Sequence, residues 1–330
     1  MKQEYYKKQY RLKEVIHSRM NILSVLFISL SFILALSSYA ISSAGQTGAE
    51  FLLMPSGAKI ASMGGASIAV IDNINTVFCN PAGLALIKGK EISATHAQWL
   101  TDISYETAGF GYCAGRAGSF GISAIYLHMG DMQGRSLNGT ETEEFSAYDA
   151  AAALSYGNRV SKNVSMGTNI KFIRQMIEDE AAFGTAFDFG CIYKLNDEKT
   201  AIGGSLLNLG TGMKFIKEEY SLPLMLNLGA SYKINSVIAA LDIKYRIFER
   251  YASMGFGAEY MPADFLSLRG SYLIKAIKNS DMSIEGDKLG GLSGLGAGLG
   301  FKFGKYQFDY SFIPFASLGS SHILSFTGSF

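Results

Sequence analysis

Among the side chains able to hold a metal or attack an electrophile, His96, His128, His322 and Cys191 stand out. A metal site needs several donors to converge, with further groups orienting them. The three histidines are far apart, and each falls in a stretch where apolar and polar residues alternate, so they read as isolated strand residues. Ser123 and His128 would suit a nucleophile and base, but their opposite parities put them on opposite faces of one strand. Gly296-Ala297-Gly298-Leu299-Gly300 has the glycines of a phosphate loop. It lacks the helix N-terminus that would hold the phosphates. Cys191 shares its face with Phe187 and Phe189, which points to apolar packing rather than reactivity. There is no HExxH, paired CxxC, Walker loop or GxSxG. The chain therefore reads as a non-enzyme, with no cofactor and no metal.

The elements that carry these residues are strands. Hydrophobic residues make up 48% of the 330 positions and charged residues 17%, which excludes a disordered chain. A net charge of +1 gives none of the basic excess of a nucleic-acid binder, and three cysteines cannot form a disulfide framework. Glycine (37) is plentiful and proline (5) scarce, with 12% aromatics, a composition that favours strands. Alternation is explicit where Val237, Ala239, Leu241, Ile243 and Tyr245 interleave with Asp242, Lys244 and Arg246. It recurs where Leu295, Ala297, Leu299, Phe301 and Phe303 interleave with Lys302, and where Tyr306, Phe308, Tyr310 and Phe312 interleave with Asp309.

About fourteen such segments follow one another, near 91–98, 104–113, 118–129, 145–156, 163–175, 182–193, 200–208, 222–234, 236–247, 251–261, 264–275, 292–303, 305–314 and 320–330. Ten residues is the length of a tilted strand crossing a bilayer, so the fold class is all-β, a transmembrane antiparallel β-barrel. Alternate connections are short, and the others, near 130–144, 176–181, 209–221 and 276–291, are longer, as in outer-membrane barrels. A cation at the midplane of the lipid face costs roughly 2–4 kcal/mol. Lys171, Lys244, Arg246, Arg269 and Lys302 are accordingly placed mid-strand facing the lumen, with Asp149, Asp188, Asp242, Glu259 and Asp309. Gly-rich inner faces imply room, or a close backbone approach, inside the barrel. Trp99, Tyr126, Tyr156, Tyr193, Tyr232 and Tyr260 fit interfacial girdles. The chain ends with Phe326 and Phe330 on one face, which resembles the terminal strand read by outer-membrane insertion machinery.

Residues 1–44 have a basic stretch, an apolar run from Ile22 to Leu36, and small-residue sites at Ser38-Tyr39-Ala40 and Ser42-Ser43-Ala44. They read as a secretory signal peptide, the alternative being an uncleaved anchor. Residues 45–88 break the alternation, and residues 89–330 carry the barrel. The residues of 45–88 allow either a plug in the lumen or a periplasmic tail with a short helix from Pro81 to Ile87. Here Gly64 and Gly65, then Asp72 and Asn73, then Asn80-Pro81-Ala82-Gly83-Leu84 resemble the N-terminal signature of PorV/PorQ family outer-membrane proteins. Phe256-Gly257-Ala258-Glu259-Tyr260 and Leu268-Arg269-Gly270-Ser271-Tyr272 are similar to a later stretch of that family. Cys79 departs from the pattern, where the resemblance leads one to expect a bulkier aromatic.

These proteins resemble fatty-acid transporter (FadL-type) barrels, and the resemblance implies fourteen strands and an N-terminal plug. It also implies a role in type IX protein secretion, receiving or positioning exported cargo with secretion-system proteins. A second implied function is passive transport of a hydrophobic small molecule, for which Ile125, Leu127 and Met225 offer inward apolar surface. Glu141, Glu143 and Glu144 in the loop near 130–144 read either as a solvated face or as a contact for a basic partner. The expected surroundings are the lipid of the outer membrane.

Overall fold

A strand with one apolar and one polar face is satisfied when its sheet closes, leaving apolar residues outside and polar ones within. The computed structural model describes residues 47–70, 73–99, 103–196, 199–275, 294–315 and 319–330. The leader over 1–44, Asp72 and the loop at 276–291 lie outside these residues.

In chain order the first strands are β1 (Lys90–Gln98), β2 (Ser104–Cys113) and β3 (Ser119–His128), then a short hairpin of β4 (Met132–Arg135) and β5 (Glu141–Phe145). Next come β6 (Ala147–Arg159), β7 (Val164–Ile177), β8 (Glu180–Lys194) and β9 (Thr200–Gly210), then a second hairpin, β10 (Met213–Phe215) and β11 (Glu218–Tyr220). The remainder are β12 (Met225–Ile234), β13 (Val237–Arg246), β14 (Tyr251–Ala263), β15 (Leu266–Lys275), β16 (Leu295–Phe303), β17 (Tyr306–Pro314) and β18 (Ser320–Ser329). All but the two hairpins form one closed barrel of fourteen antiparallel strands. It is sealed by β1 against β18, from Glu91↔Ser329 to Gln98↔His322. Among the described residues no helix is long and apolar enough to cross a membrane.

The end of the barrel holding Lys90 and Phe330 is here the base, and the other end the mouth. Connections at the base are short, including the two-residue turns 235–236 and 304–305. Asn235 takes a φ of 49° there, a left-handed conformation that asparagine tolerates. Both hairpins stand at the mouth. The connection expected to be long near 176–181 is instead a tight turn at Glu178-Asp179. There β7 and β8 run to 14 and 15 residues, so the polar run Glu178-Asp179-Glu180 caps two long strands rather than opening a loop. The pairing of β8 with β9 slips between Phe187 and Phe189, beside Asn208 at φ 63°.

The outer face is a band of exposed Ile122, Leu154, Phe172, Phe183, Phe189 and Phe308. A contiguous apolar surface of this kind is what a bilayer covers. Inward positions are polar and buried, among them Lys171, Asp188, Asn227, Asp242, Glu259, Arg269 and Asp309. Charge at outward parity occurs toward the mouth, where Glu106 of β2 meets His96 and Arg174 of β7 lies over the Phe183 ring.

Candidate functional site

Buried charge is tolerated only when it is paired and hydrogen-bonded, and the lumen meets this with two clusters. In the first, Arg269 donates from Nε to Glu259 Oε1 (2.9 Å) and from Nη1 to Asp309 Oδ1 (2.7 Å). Gln307 donates to both oxygens of Asp309. In the second, Lys171 Nζ reaches Asp188 Oδ2 (2.8 Å) and Asn208 Oδ1 (2.7 Å). Asn169 adds a bond to Asp188, and the Asn208 amide donates to the other oxygen of that carboxylate. The register slip at Asn208 thus lets one carboxylate take up a lysine, an amide side chain and a backbone N–H.

Residues 47–70 and 73–88 run inside this polar ring. Thr47 sits at the mouth, where its hydroxyl donates to Glu249 Oε1 (2.6 Å) and Gly48 N–H donates to Ser221 O (3.0 Å). The short helix α1 (Ala58–Ser62) has its first amide on Ser325 Oγ (2.8 Å), and Lys59 completes the first ion cluster through Glu259 (2.8 Å). Gly64 and Gly65 turn the chain with φ of 65° and 73°. The amides of Ser67 and Ile68 then converge on Asp242 Oδ2 at 2.7 and 2.9 Å.

Asn80 Oδ1 accepts from the Ala82 amide and caps the 3-10 turn Pro81–Leu86, with Pro81 at its first position, where no N–H is needed. Its Nδ2 donates to Ile68 O (2.8 Å) and to Cys191 O of β8 (3.2 Å). Gly83 follows with no room for a side chain, because Thr76 occupies the space. Further bonds come from Asn169 to Val77 O, Ser205 to Cys79 O and Ser231 to Ala69 O. Buried Tyr105 of β2 holds Ser56 at 2.8 Å. Wall glycines permit the close approach: a Cβ on Gly203 or Gly257 would lie 2.5 Å from the carbonyl oxygen of Ile68 or Met63.

Sequence reasoning did not find Tyr105, Asn169 or Ser205, whose inward parity was the available signal, nor Asn208, whose parity is outward until the register slip turns it in. Two positions differ from expectation. Lys302 is not mid-strand; it is the penultimate residue of β16, exposed at the base, where water solvates its ammonium. Arg246 ends β13 at the mouth, half-buried, and pairs with Glu50 at 3.2 Å. Phe326 packs on Tyr306 and Phe308 on the outer face at the base, beside the exposed Phe330.

Between the inner segment and the mouth lies a cavity of about 360 Å³. Its apolar lining includes Leu52, Met54, Ile60, Phe78, Met225 and Phe315; Lys244, Arg246 and Lys275 add positive charge, which Glu50 in the same lining offsets in part. Lys244 lies in electrostatic range of Asp242, and Arg246 is paired, as noted. Trp99 was expected in an interfacial girdle; it lines this cavity, its ring 5.1 Å from Phe315, because the β1 strand ends one residue earlier and releases it from strand parity. Of the three inward apolar residues, Met225 lines the cavity, whereas Ile125 and Leu127 pack with Phe51 and Leu52. The arrangement can enclose an apolar body and hold an anionic group near one wall. Among the described residues no group of His, Cys, Asp and Glu is placed to hold a metal.

Residues 34–186 match an uncharacterised protein family, UPF0164. No curated protein matches the chain in sequence. Solved structures do match in fold. The Ralstonia pickettii toluene transporter TbuX aligns with a TM-score of 0.60 at 14% identity, over 83% of this chain and 98% of that one. The Pseudomonas putida toluene transporter TodX gives 0.63 at 13% identity, over 83% and 98%. A Pseudomonas aeruginosa FadL homologue gives 0.56 at 10% identity, over 82% and 97%. At these identities the likeness is one of fold.

Proposed function

We propose that this protein is an outer-membrane barrel that admits a hydrophobic small molecule, with residues 45–88 as its plug and the base facing the periplasm. The mouth cavity carries the reading. Its volume of about 360 Å³ is within the roughly 300–1,000 Å³ of small-molecule sites, and its lining is mostly apolar, as theirs is. The fold neighbours that are toluene transporters support the same class of cargo. The cations at one wall favour an acid-headed apolar molecule over a neutral one of equal length. Catalysis has no part in this reading.

Trp99 is the single tryptophan of the chain and lines the cavity, so it reports occupancy. Titrating the purified barrel with decanoate and with decanol, its neutral counterpart, is expected to change Trp99 fluorescence saturably, with decanoate binding more tightly. A linear, unsaturable response to both would remove the cavity from consideration. The alternative role, holding secreted cargo as the PorV/PorQ resemblance implies, draws support from the β4–β5 hairpin. It stands at the mouth with Glu141, Glu143 and Glu144 exposed. Deleting residues 132–145 and finding the same co-purifying proteins would leave that role without a contact surface.

A further inference from the structure

A transported molecule must pass the inner segment, and two voids mark where. The mouth cavity reaches Ile60 and Cys79. A second void of about 20 Å³, room for about one water molecule, is lined by Lys59, Met63, Ser67 and Asn75 and by the same Ile60 and Cys79. The two voids adjoin at mid-barrel: Ser271, which lines the first, pairs with Gly257, and Met63, which lines the second, lies against that same Gly257. The first is bounded by Arg246 and Lys275, the last residues of β13 and β15 at the mouth. The second is bounded by Met63, which lies against Gly257 at the middle of β14, and by Lys59, which reaches Glu259 on the base side of that glycine.

We infer that Ile60 and Cys79 form the constriction that decides which molecules pass from the mouth cavity through the inner segment, an inference that rests on the transport reading. The backbone at Cys79 is fixed: its carbonyl accepts from Ser205 Oγ (2.8 Å), and neighbouring Asn80 is held by three hydrogen bonds. The Cys79 thiol faces Thr76 O at 3.5 Å. Ile60 is half-buried with space on both sides, so its side chain is the part free to turn. Passage therefore depends on the volume of these two side chains, not on displacement of the whole segment.

The test uses the full chain with Cys113→Ser and Cys191→Ser, leaving Cys79 as its one cysteine. Uptake of radiolabelled decanoate by cells carrying it is measured alongside variants. An apolar pocket discriminates by roughly tenfold or more per methylene, so Ile60→Ala is expected to raise uptake by about tenfold and Ile60→Trp to abolish it. Purified protein is also treated with N-ethylmaleimide, where the Cys79 thiolate adds to the maleimide double bond, a C–S bond forms and the neighbouring carbon takes a proton from water. Burial pushes the Cys79 thiol up to about 11. Labelling at neutral pH is then slow and gains about tenfold per pH unit as the thiolate fraction grows. Ile60→Ala is expected to speed labelling at every pH, and decanoate to slow it.

Absence of uptake above cells lacking the barrel would overturn the transport reading and this inference with it. Uptake that is present but equal in Ile60→Ala, Ile60→Trp and the parent would overturn the constriction alone. So would a labelling rate indifferent to Ile60→Ala, a result that does not depend on whether the tryptophan variant folds.

Discussion

Replacing Arg269 with methionine removes the centre of a buried charge cluster while keeping much of its volume. In the parent, two cations, Lys59 and Arg269, balance two carboxylates, Glu259 and Asp309. Arg269 and Glu259 are 5% and 1% exposed, and Asp309 3%, so none can turn to bulk water. After Arg269→Met, Glu259 keeps Lys59, but Asp309 keeps only the neutral amide of Gln307. Removing one partner of a buried pair costs about 3–5 kcal/mol, chiefly because of the charge left behind. The variant is expected to lose that amount. Adding Asp309→Asn, which removes the orphaned charge, should restore at least about 2 kcal/mol of it, since a neutral amide can be satisfied by one good hydrogen bond. The assay is urea unfolding of the detergent-folded barrel followed by Trp99 fluorescence. A loss below about 1 kcal/mol for the single variant, or a double variant no better than the single, would refute the view that this cluster is held by charge balance.

Asn80→Ala removes a turn cap and two side-chain donations, so it should destabilise by about 1–2 kcal/mol and increase proteolysis within 73–88 by a protease added to the folded barrel. Gly257→Val places a side chain where the Met63 carbonyl lies. It should weaken the docking of 58–66, read as faster amide exchange there, whereas Gly270→Val, which meets nothing within 4 Å, should not. Lys244→Gln with Lys275→Gln should erase the preference for decanoate over decanol, roughly tenfold or less in affinity, in the Trp99 titration. Phe330→Ala with Phe326→Ala is expected to lower the amount of barrel recovered from outer membranes without changing its unfolding midpoint.

The wall was legible because each strand solves the same problem, apolar to lipid and polar to lumen. The expected 305–314 became Tyr306–Pro314, and 91–98 became Lys90–Gln98. The β4–β5 and β10–β11 hairpins were not: β5 and β11 are exposed on both faces, and β10, though it buries Met213, is only three residues long, too short for alternation to register. The slip beside Asn208 was hidden by Leu206 and Leu207, adjacent apolar residues that fit either parity. The inner segment was visible as a motif, but its residues left plug and tail open, and only the family resemblance implied a plug. Most of its bonds to the wall run through main-chain atoms such as Ile68 N, Ala69 O, Val77 O and Cys79 O, which any residue supplies. The glycine-rich inner faces did foretell a close approach, though not to what.

The inner segment enters at the mouth, beside Glu249, and leaves at the base, where Lys90 N–H bonds Phe330 O. The cylinder is sealed by the seam between β1 and β18, the first and last strands of its wall. Threading some forty residues through a finished and nearly filled tube would strip every wall-to-segment hydrogen bond at once. The wall must therefore be assembled around the strand of chain it encloses, as a bottle blown around its ship. The order of assembly expected from this has Asp242, Asn169 and Ser205 taking up their backbone partners while the sheet is still open and the seam closing last, read as hydrogen-exchange protection of β1 and β18 arising after that of 67–80.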